Sequence, residues 1–241
     1  MFGIFKKSVR LNNYITDVHS HLIPGVDDGV QSFEESLEIL AALNKLGTKK
    51  VTTTPHIMGD LYQNNEADLV KIGNTLREKI VEQGIDIELS IAAEYFLDES
   101  LMDKINKTPS ALLTFGDGFL LFETSFYNRP LYINDFIFRA QSAGLKPVLA
   151  HPERYSYLYN DFSAIEDLIE RGVLLQLNII SLANFYSKQT KRFAEQLIEK
   201  KLIHFIGSDC HNTIQCNAIK TAMMNKYYTM AINLPLLNYE L

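Results

Sequence analysis

Apolar residues along the chain fall into short runs that alternate with longer segments of helical spacing, and the alternation repeats seven times. The first run closes at Asp17-Val-His-Ser-His21. After it, Ser32-Phe-Glu-Glu35 has the pattern of a capping box, Leu37, Leu40, Ala41 and Leu43 follow at helical spacing, and Gly47 closes the segment. The β-branched Lys50-Val-Thr-Thr-Thr54 predicts a second strand ending at Pro55-His56, and a helix over about 66–83 stops at Gly84. A third strand over about 85–92 ends at Ala93-Glu94, with a short helix over about 99–106 before Pro109. Phe119-Leu-Leu-Phe122 is apolar throughout, as a strand buried on both faces should be, and ends at Glu123. A helix over about 132–142 leads to Pro147-Val-Leu-Ala150, which ends at His151 and precedes a helix over about 163–170. Val173-Leu-Leu-Gln-Leu177 ends at Asn178 before a helix over about 191–201. Finally Ile203-His-Phe-Ile206 ends at Gly207-Ser-Asp-Cys-His211, with a last helix over about 217–230.

Seven strand-helix units with short connections predict an α/β fold with a parallel sheet, most economically closed into a (β/α)7 barrel. Six of the seven strand ends carry a chelating residue or pair: His19 and His21, His56, Glu94, Glu123, His151, then Asp209 and His211. In a parallel barrel those ends converge on one mouth, where the active sites of such barrels are built. Strand periodicity puts His19 and His21 on one face, so two imidazoles can reach the same cation. His204, at the start of the seventh strand, belongs to the opposite face. One histidine at a strand end is ordinary, but burying several ionisable groups together without a cation is costly, so the set predicts a polynuclear metal site. Imidazole mixed with carboxylate and without thiolate suits Mn²⁺, Fe²⁺ or Zn²⁺ and fits Mg²⁺ or Ca²⁺ poorly. Asp27-Asp28-Gly29 reads as a turn whose nearness to His21 offers one further carboxylate.

Arg154 stands three residues past His151. A guanidinium beside cations is unfavourable unless an anion lies between them, and its planar fork matches phosphate; a salt bridge to Glu153 or Asp161 is the plainer alternative. Tyr155, Tyr157 and Tyr159, with Phe126 and Tyr127, offer either ordinary packing or walls for an aromatic ring.

Composition narrows the classes. The 241 residues carry 23 basic and 29 acidic side chains, a net charge of −6, which does not favour a nucleic-acid surface. Residues 1–14 are predicted to be a flexible basic tail without the apolar run of a signal peptide, and 15–241 a single domain. No stretch approaches the roughly 18–20 apolar residues of a membrane span. Cys210 and Cys216 give no disulfide framework, which suits the cytoplasm. Neither opens a Cys-x5-Arg loop, since the sixth residue after Cys210 is Cys216 and after Cys216 is Ala222, so thiolate catalysis has no support.

Asp-Val-His-Ser-His21, Val-Asp-Asp-Gly29, Thr-Pro-His56, Ala-Ala-Glu94, Leu-Phe-Glu123, Ala-His-Pro-Glu-Arg154 and the run from Leu202 to Asn212 together resemble the PHP (polymerase and histidinol phosphatase) superfamily. More closely they resemble its bacterial tyrosine-phosphatase branch, found with capsule and exopolysaccharide synthesis. The resemblance implies a distorted (β/α)7 TIM-like barrel, the PHP fold, with three divalent metal ions, Mn or Fe with Zn also compatible. It implies that His19, His21, Glu94 and Asp209 hold one ion, that Glu94 bridges to a second held by Glu123 and His151, and that Asp28, His56 and His211 hold the third. Arg154 matches the phosphate-binding arginine. The implied reaction is metal-dependent phosphomonoester hydrolysis, with a phosphotyrosine protein, the tail of a bacterial tyrosine kinase, as substrate; a homo-oligomer is compatible with it. Two positions depart from the pattern. The place of a second arginine, five residues after His211, is Cys216, which would weaken phosphate binding or move its task to Arg129 or Lys220, and an expected Gly-Phe-Gly reads Asn184-Phe-Tyr186. A small-molecule phosphatase of histidinol-phosphatase type is the alternative enzyme, and a non-catalytic partner in polysaccharide assembly the alternative from another class.

Overall fold

The computed structural model describes residues 16–159 and 161–241, so the expected tail over 1–14 lies outside the described residues. In chain order the elements are α1 (Phe33–Lys45), β1 (Lys50–Thr53), β2 (His56–Ile57), α2 (Glu66–Glu82), β3 (Glu88–Ile91), β4 (Glu94–Phe96), α3 (Glu99–Lys107), β5 (Phe119–Glu123), α4 (Ile133–Ser142) and β6 (Lys146–Ala150). They continue with α5 (Phe162–Glu170), β7 (Leu174–Asn178), α6 (Lys188–Glu199), β8 (Phe205–Gly207), α7 (Thr213–Met223) and α8 (Lys226–Ala231). The fold is therefore α/β, and every strand ladder in it is parallel, β1 with β3 and then β2-β4-β5-β6-β7-β8.

Four elements differ from the sequence reading for local reasons. Two expected strands each resume past a break as a short second strand. Pro55, which has no N–H to give a ladder, separates β1 from β2, and Ala92-Ala93 separates β3 from β4. The expected first strand is instead an extended segment held by isolated bridges. On one side Thr52 donates its N–H to the Asp17 carbonyl at 2.7 Å and Thr54 to that of Ser20 at 2.6 Å. On the other, Asp209 donates to the His19 carbonyl at 2.7 Å and His21 to that of Cys210 at 2.9 Å. The last helix begins at Thr213 and breaks at Asn225, whose side chain caps α8 and donates to the Leu182 carbonyl at 3.0 Å. The capping box opens α1 with a shifted register: Ser32 accepts from the Glu35 N–H, while Glu35 accepts from Gln31.

Two apolar layers hold the sheet, and β5 shows why its sequence is continuous. Leu120 and Phe122 point to the layer under the helices, where Phe122 meets Phe136 with ring centroids 4.6 Å apart. Phe119 and Leu121 point the other way, onto Val18, Val148, Ala150 and Phe205. At the base of this inner layer the 3₁₀ turn Leu237–Glu240 inserts Asn238. Its buried amide accepts from the Ile206 N–H at 3.0 Å and donates to the carbonyls of Thr16 at 2.7 Å and Ile206 at 2.8 Å. It thereby joins the extended segment to β8. Asn238→Ala leaves all three backbone groups without this partner, and a loss of about 1–3 kcal/mol is expected in urea unfolding; an unchanged midpoint would show that the contact contributes nothing.

Candidate metal centre

The strand ends deliver the predicted side chains to one cavity of about 360 Å³. Asp28, His56, Glu94, Glu123, His151, Asp209 and His211 line it together with Arg154, and His19 and His21 lie fully buried beneath. All nine expected ligands and the arginine are thus brought together. His204 is elsewhere: it immediately precedes β8, and its ring Nδ1 accepts from the Leu175 N–H at 3.1 Å.

Glu94 is the hub. Its Oε2 lies 3.2 Å from His19 Nε2 and 3.2 Å from His56 Nδ1, and its Oε1 lies 2.9 Å from His151 Nε2. Four groups have all their ligand atoms within 4.8 Å of one another: His21-Asp28-His56-His211, His19-His21-Glu94, His19-His151-Asp209 and His56-Glu94-Glu123. The Asp28, His56 and His211 set expected from the resemblance falls in the first of these, and His19, His21 and Glu94 form the second.

The histidines are aimed by partners behind them. His19 Nδ1 meets Gln176 Oε1 at 2.8 Å, and His21 Nδ1 meets Asp27 Oδ2 at 2.8 Å, so both Nε2 atoms turn inward, 3.2 Å apart. His211 Nδ1 donates to the Asp209 carbonyl at 2.9 Å. Gln176 also donates to Asn178 Oδ1 at 3.0 Å, and Asn178 to Asp209 Oδ2 at 2.5 Å, so one polar chain runs from the first histidine to the last aspartate. The sequence reading missed these partners. Gln176 is one polar residue inside an apolar strand, and Asp27 is the half of Asp27-Asp28 that orients rather than faces the cavity. The recoverable signal was that a ligating imidazole passes its other N–H to an acceptor, so adjacent aspartates could divide the two tasks.

Charge in this space is out of balance. Burial opposes ionisation of Glu94, yet His19, His56 and His151 hold its pKa well below the usual carboxylate range. Burial and the neighbouring Glu94 push Glu123 well above that range. Burial would disfavour a charged His21, but Asp27 and contacts to Asp209 and Glu94 raise its pKa well above the ordinary value, while burial takes His56 down to about 4. Among the described residues, the buried side-chain atoms without a hydrogen-bond partner include His56 Nδ1, Glu123 Oε1 and His151 Nδ1. Two adjacent buried carboxylates pushed in opposite directions and three such atoms are what divalent cations would resolve, so the donor set fits them. Two of the cavity residues sit on strained backbone: His151 at φ 35° and Asp209 at φ 52° both adopt the left-handed region.

The phosphate-binding substitutes expected at Arg129 and Lys220 do not line the cavity; Arg129 instead reaches Asp167 at 3.5 Å. Cys216, at the place of the second arginine, rests its sulfur 3.9 Å from that of Cys210, and both are free thiols.

Fold and donor set together define a class: a parallel α/β protein whose strand ends carry a buried centre of histidines and carboxylates suited to divalent cations, beside an arginine. A family model described as capsular polysaccharide synthesis, CpsB/CapC, matches residues 15–229, and the chain belongs to that family. Similar proteins include the tyrosine-protein phosphatase YwqE of Bacillus subtilis (strain 168), 30% identical over 197 residues that make up 81% of this chain and 77% of YwqE. The tyrosine-protein phosphatase CpsB of Streptococcus pneumoniae is 29% identical over 202 residues, 81% of this chain and 82% of CpsB. A solved structure from work on YwqE and CpsB, described there as unique metal-dependent tyrosine phosphatases, matches with a TM-score of 0.84 at 28% identity, covering 94% of this chain and 92% of that one. Histidinol phosphate phosphatase from Lactococcus lactis, solved with zinc, L-histidinol and phosphate, shares the fold alone, with a TM-score of 0.54 at 13% identity over 92% of this chain and 94% of that one.

Removing the carboxylate behind His21 tests whether the centre is built for cations. Asp27→Asn is expected to weaken Mn²⁺ binding about 10–100-fold in a calorimetric titration. Unchanged affinity would contradict the role given to Asp27.

Proposed function

We propose that this chain is a metal-dependent phosphomonoester hydrolase that removes phosphate from phosphotyrosine in a protein, with the tail of a bacterial tyrosine kinase of capsule or exopolysaccharide synthesis as its substrate. The observation that carries the reading is the placement of Arg154 on the cavity rim over the donor cluster, its Nη1 3.2 Å from Asp209 Oδ2. The similarity to the curated phosphatases directs it to tyrosine.

In this reading His19, His21, Glu94 and Asp209 would hold one divalent ion, Glu94, Glu123 and His151 a second, and Asp28, His56 and His211 a third, with Mn or Fe, and Zn also, compatible with the donors. Bound there, the cations would lower the pKa of water into the neutral range and offset charge on the phosphoryl oxygens. Arg154 supplies a fixed positive charge and a planar pair of donors for the same oxygens. The outward partners Asp27, Gln176 and Asn178 keep the ligand atoms facing inward, so little reorganisation is needed when substrate arrives. Met58, Tyr62 and Phe126 on the cavity wall give the phenyl ring of the substrate an apolar surface, and Tyr62 already lies flat on His56, with centroids 5.5 Å apart at an interplanar angle of 9°. A disordered tail suits a site at the open end of the strands, because it can carry one phosphate inward on a flexible segment.

The finer architecture in this proposal is a distorted (β/α)7 barrel spanning 15–241, behind a basic tail. Support comes from the extended segment at 16–21, which hydrogen-bonds to β1 on one side and to residues 209–210 on the other, with Asn238 joining it to β8 below. A cytoplasmic setting fits a chain with two cysteines and no disulfide framework. Among the described residues no helix is long and apolar enough to cross a membrane. The shared fold with histidinol phosphate phosphatase keeps a small phosphate monoester as the second reading.

Phosphate release from a phosphotyrosine peptide and from histidinol phosphate, measured side by side, separates the two. The expected result is a preference for the peptide, abolition by chelator, and a drop of about 100-fold or more in kcat/KM for Arg154→Ala. Preference for histidinol phosphate would establish the small-molecule reading, and no turnover of either by the metal-loaded protein would overturn both.

A further inference from the structure

We propose that Tyr186 is a positioning residue with two separable tasks: its hydroxyl locks the orientation of Asp209, and its ring holds Arg154 in place over the cavity. The inference rests on the reading of Asp209 as a metal ligand and Arg154 as the phosphate-binding group.

Arg154 is the one lysine or arginine among the described residues lining the cavity, so the way it is held decides how phosphate is met. Its guanidinium carbon lies 4.4 Å from the centre of the Tyr186 ring and 4.5 Å from that of Phe126. Two aromatic rings therefore confine a planar cation whose side-chain hydrogen bond among the described residues goes to Asp209. Such a clamp stabilises the cation while leaving its N–H edge free to turn from Asp209 to an entering phosphate.

The hydroxyl acts on a different group. Tyr186 Oη donates to Asp209 Oδ2 at 3.0 Å, and the same oxygen accepts from Asn178 at 2.5 Å and Arg154 at 3.2 Å. Three donors on Oδ2 leave the other oxygen, Oδ1, turned to His19 Nε2 at 3.3 Å and His21 Nε2 at 3.4 Å. The carboxylate is thus presented to the histidine pair by one oxygen. When a cation sits among them, the hydroxyl fixes that one-oxygen geometry.

The loop makes this placement available. Asn184, at φ 59°, supplies a left-handed turn that its short polar side chain tolerates, after which Phe185 lies exposed and Tyr186 turns inward, their rings nearly perpendicular at 87°. From the sequence, Asn184-Phe-Tyr186 was only a departure in a loop.

Two variants of the full chain separate the tasks. Tyr186→Phe keeps the ring and removes the hydroxyl; Tyr186→Leu removes both. For Tyr186→Phe the expected result is Mn²⁺ affinity weakened about 10-fold by calorimetry, with KM for the phosphotyrosine peptide and inhibition by inorganic phosphate unchanged at saturating Mn²⁺. For Tyr186→Leu the same loss of affinity is joined by a rise of about 3–30-fold in KM and in the phosphate inhibition constant. Asp209→Asn and Arg154→Ala serve as references. If those two abolish metal and phosphate binding respectively while both Tyr186 variants match the parent, or if Phe fails to rescue KM relative to Leu, the assignment of Tyr186 is overturned. If Asp209→Asn leaves Mn²⁺ binding intact, or Arg154→Ala leaves phosphate inhibition intact, the failure lies in the reading of the centre itself, and Tyr186 falls with it.

Discussion

Several groups that ionise in opposite senses share one buried space at the strand ends, and the rest of the molecule is arranged around making that tolerable. Glu94 lies within 3.4 Å of His19, His21, His56 and His151, in a region where its burial and theirs strip away solvent screening. Protons satisfy this arrangement poorly, since burial and Glu94 push the Glu123 pKa up while the histidines hold that of Glu94 down beside it. Cations satisfy it better because each can be shared by several ligands at once, which places the metal requirement in the electrostatics of the fold rather than in any single residue.

That centre depends on polar residues that stand behind the histidines and Asp209 and do not line the cavity. Asp27, Gln176 and Asn178 fix which nitrogen or oxygen of each ligand points inward. Their own positions come from packing. Gln176 and Asn178 stand on β7 with Leu175 and Leu177 between and beside them in the helix-facing core, so alternation along one strand anchors the layer and aims the site together. Close approach matters here too. A Cβ on Gly207 would stand 2.7 Å from His19 Cβ, and one on Gly29 would stand 2.4 Å from the His21 carbonyl, so both histidines are set against backbone that carries no side chain.

The strand ends were legible in the sequence because an apolar run stopping at a histidine or carboxylate, ordinary by itself, recurs at His21, His56, Glu94, Glu123, His151 and Asp209, and the recurrence pointed to one face. The nine side chains do meet there. Interruptions were less legible. The stop at Pro55 was expected but the short strand past it was not, and Ala92-Ala93 leads into a second short strand in the same way; which neighbour each half pairs with sets both. Asn225 breaks the last helix because its side chain has a partner at Leu182, a contact 43 residues away that periodicity does not contain. Tyr186 and Asp27 were visible as residue types, but their tasks depend on which atoms they face.

The most direct test of the account is anomalous diffraction from crystals of this protein grown with Mn²⁺. The account predicts three peaks in the one cavity: among His19, His21, Glu94 and Asp209; among Glu94, Glu123 and His151; and among Asp28, His56 and His211. A cavity without anomalous density, with Glu94 still against the histidines and manganese bound elsewhere on the chain, would contradict it.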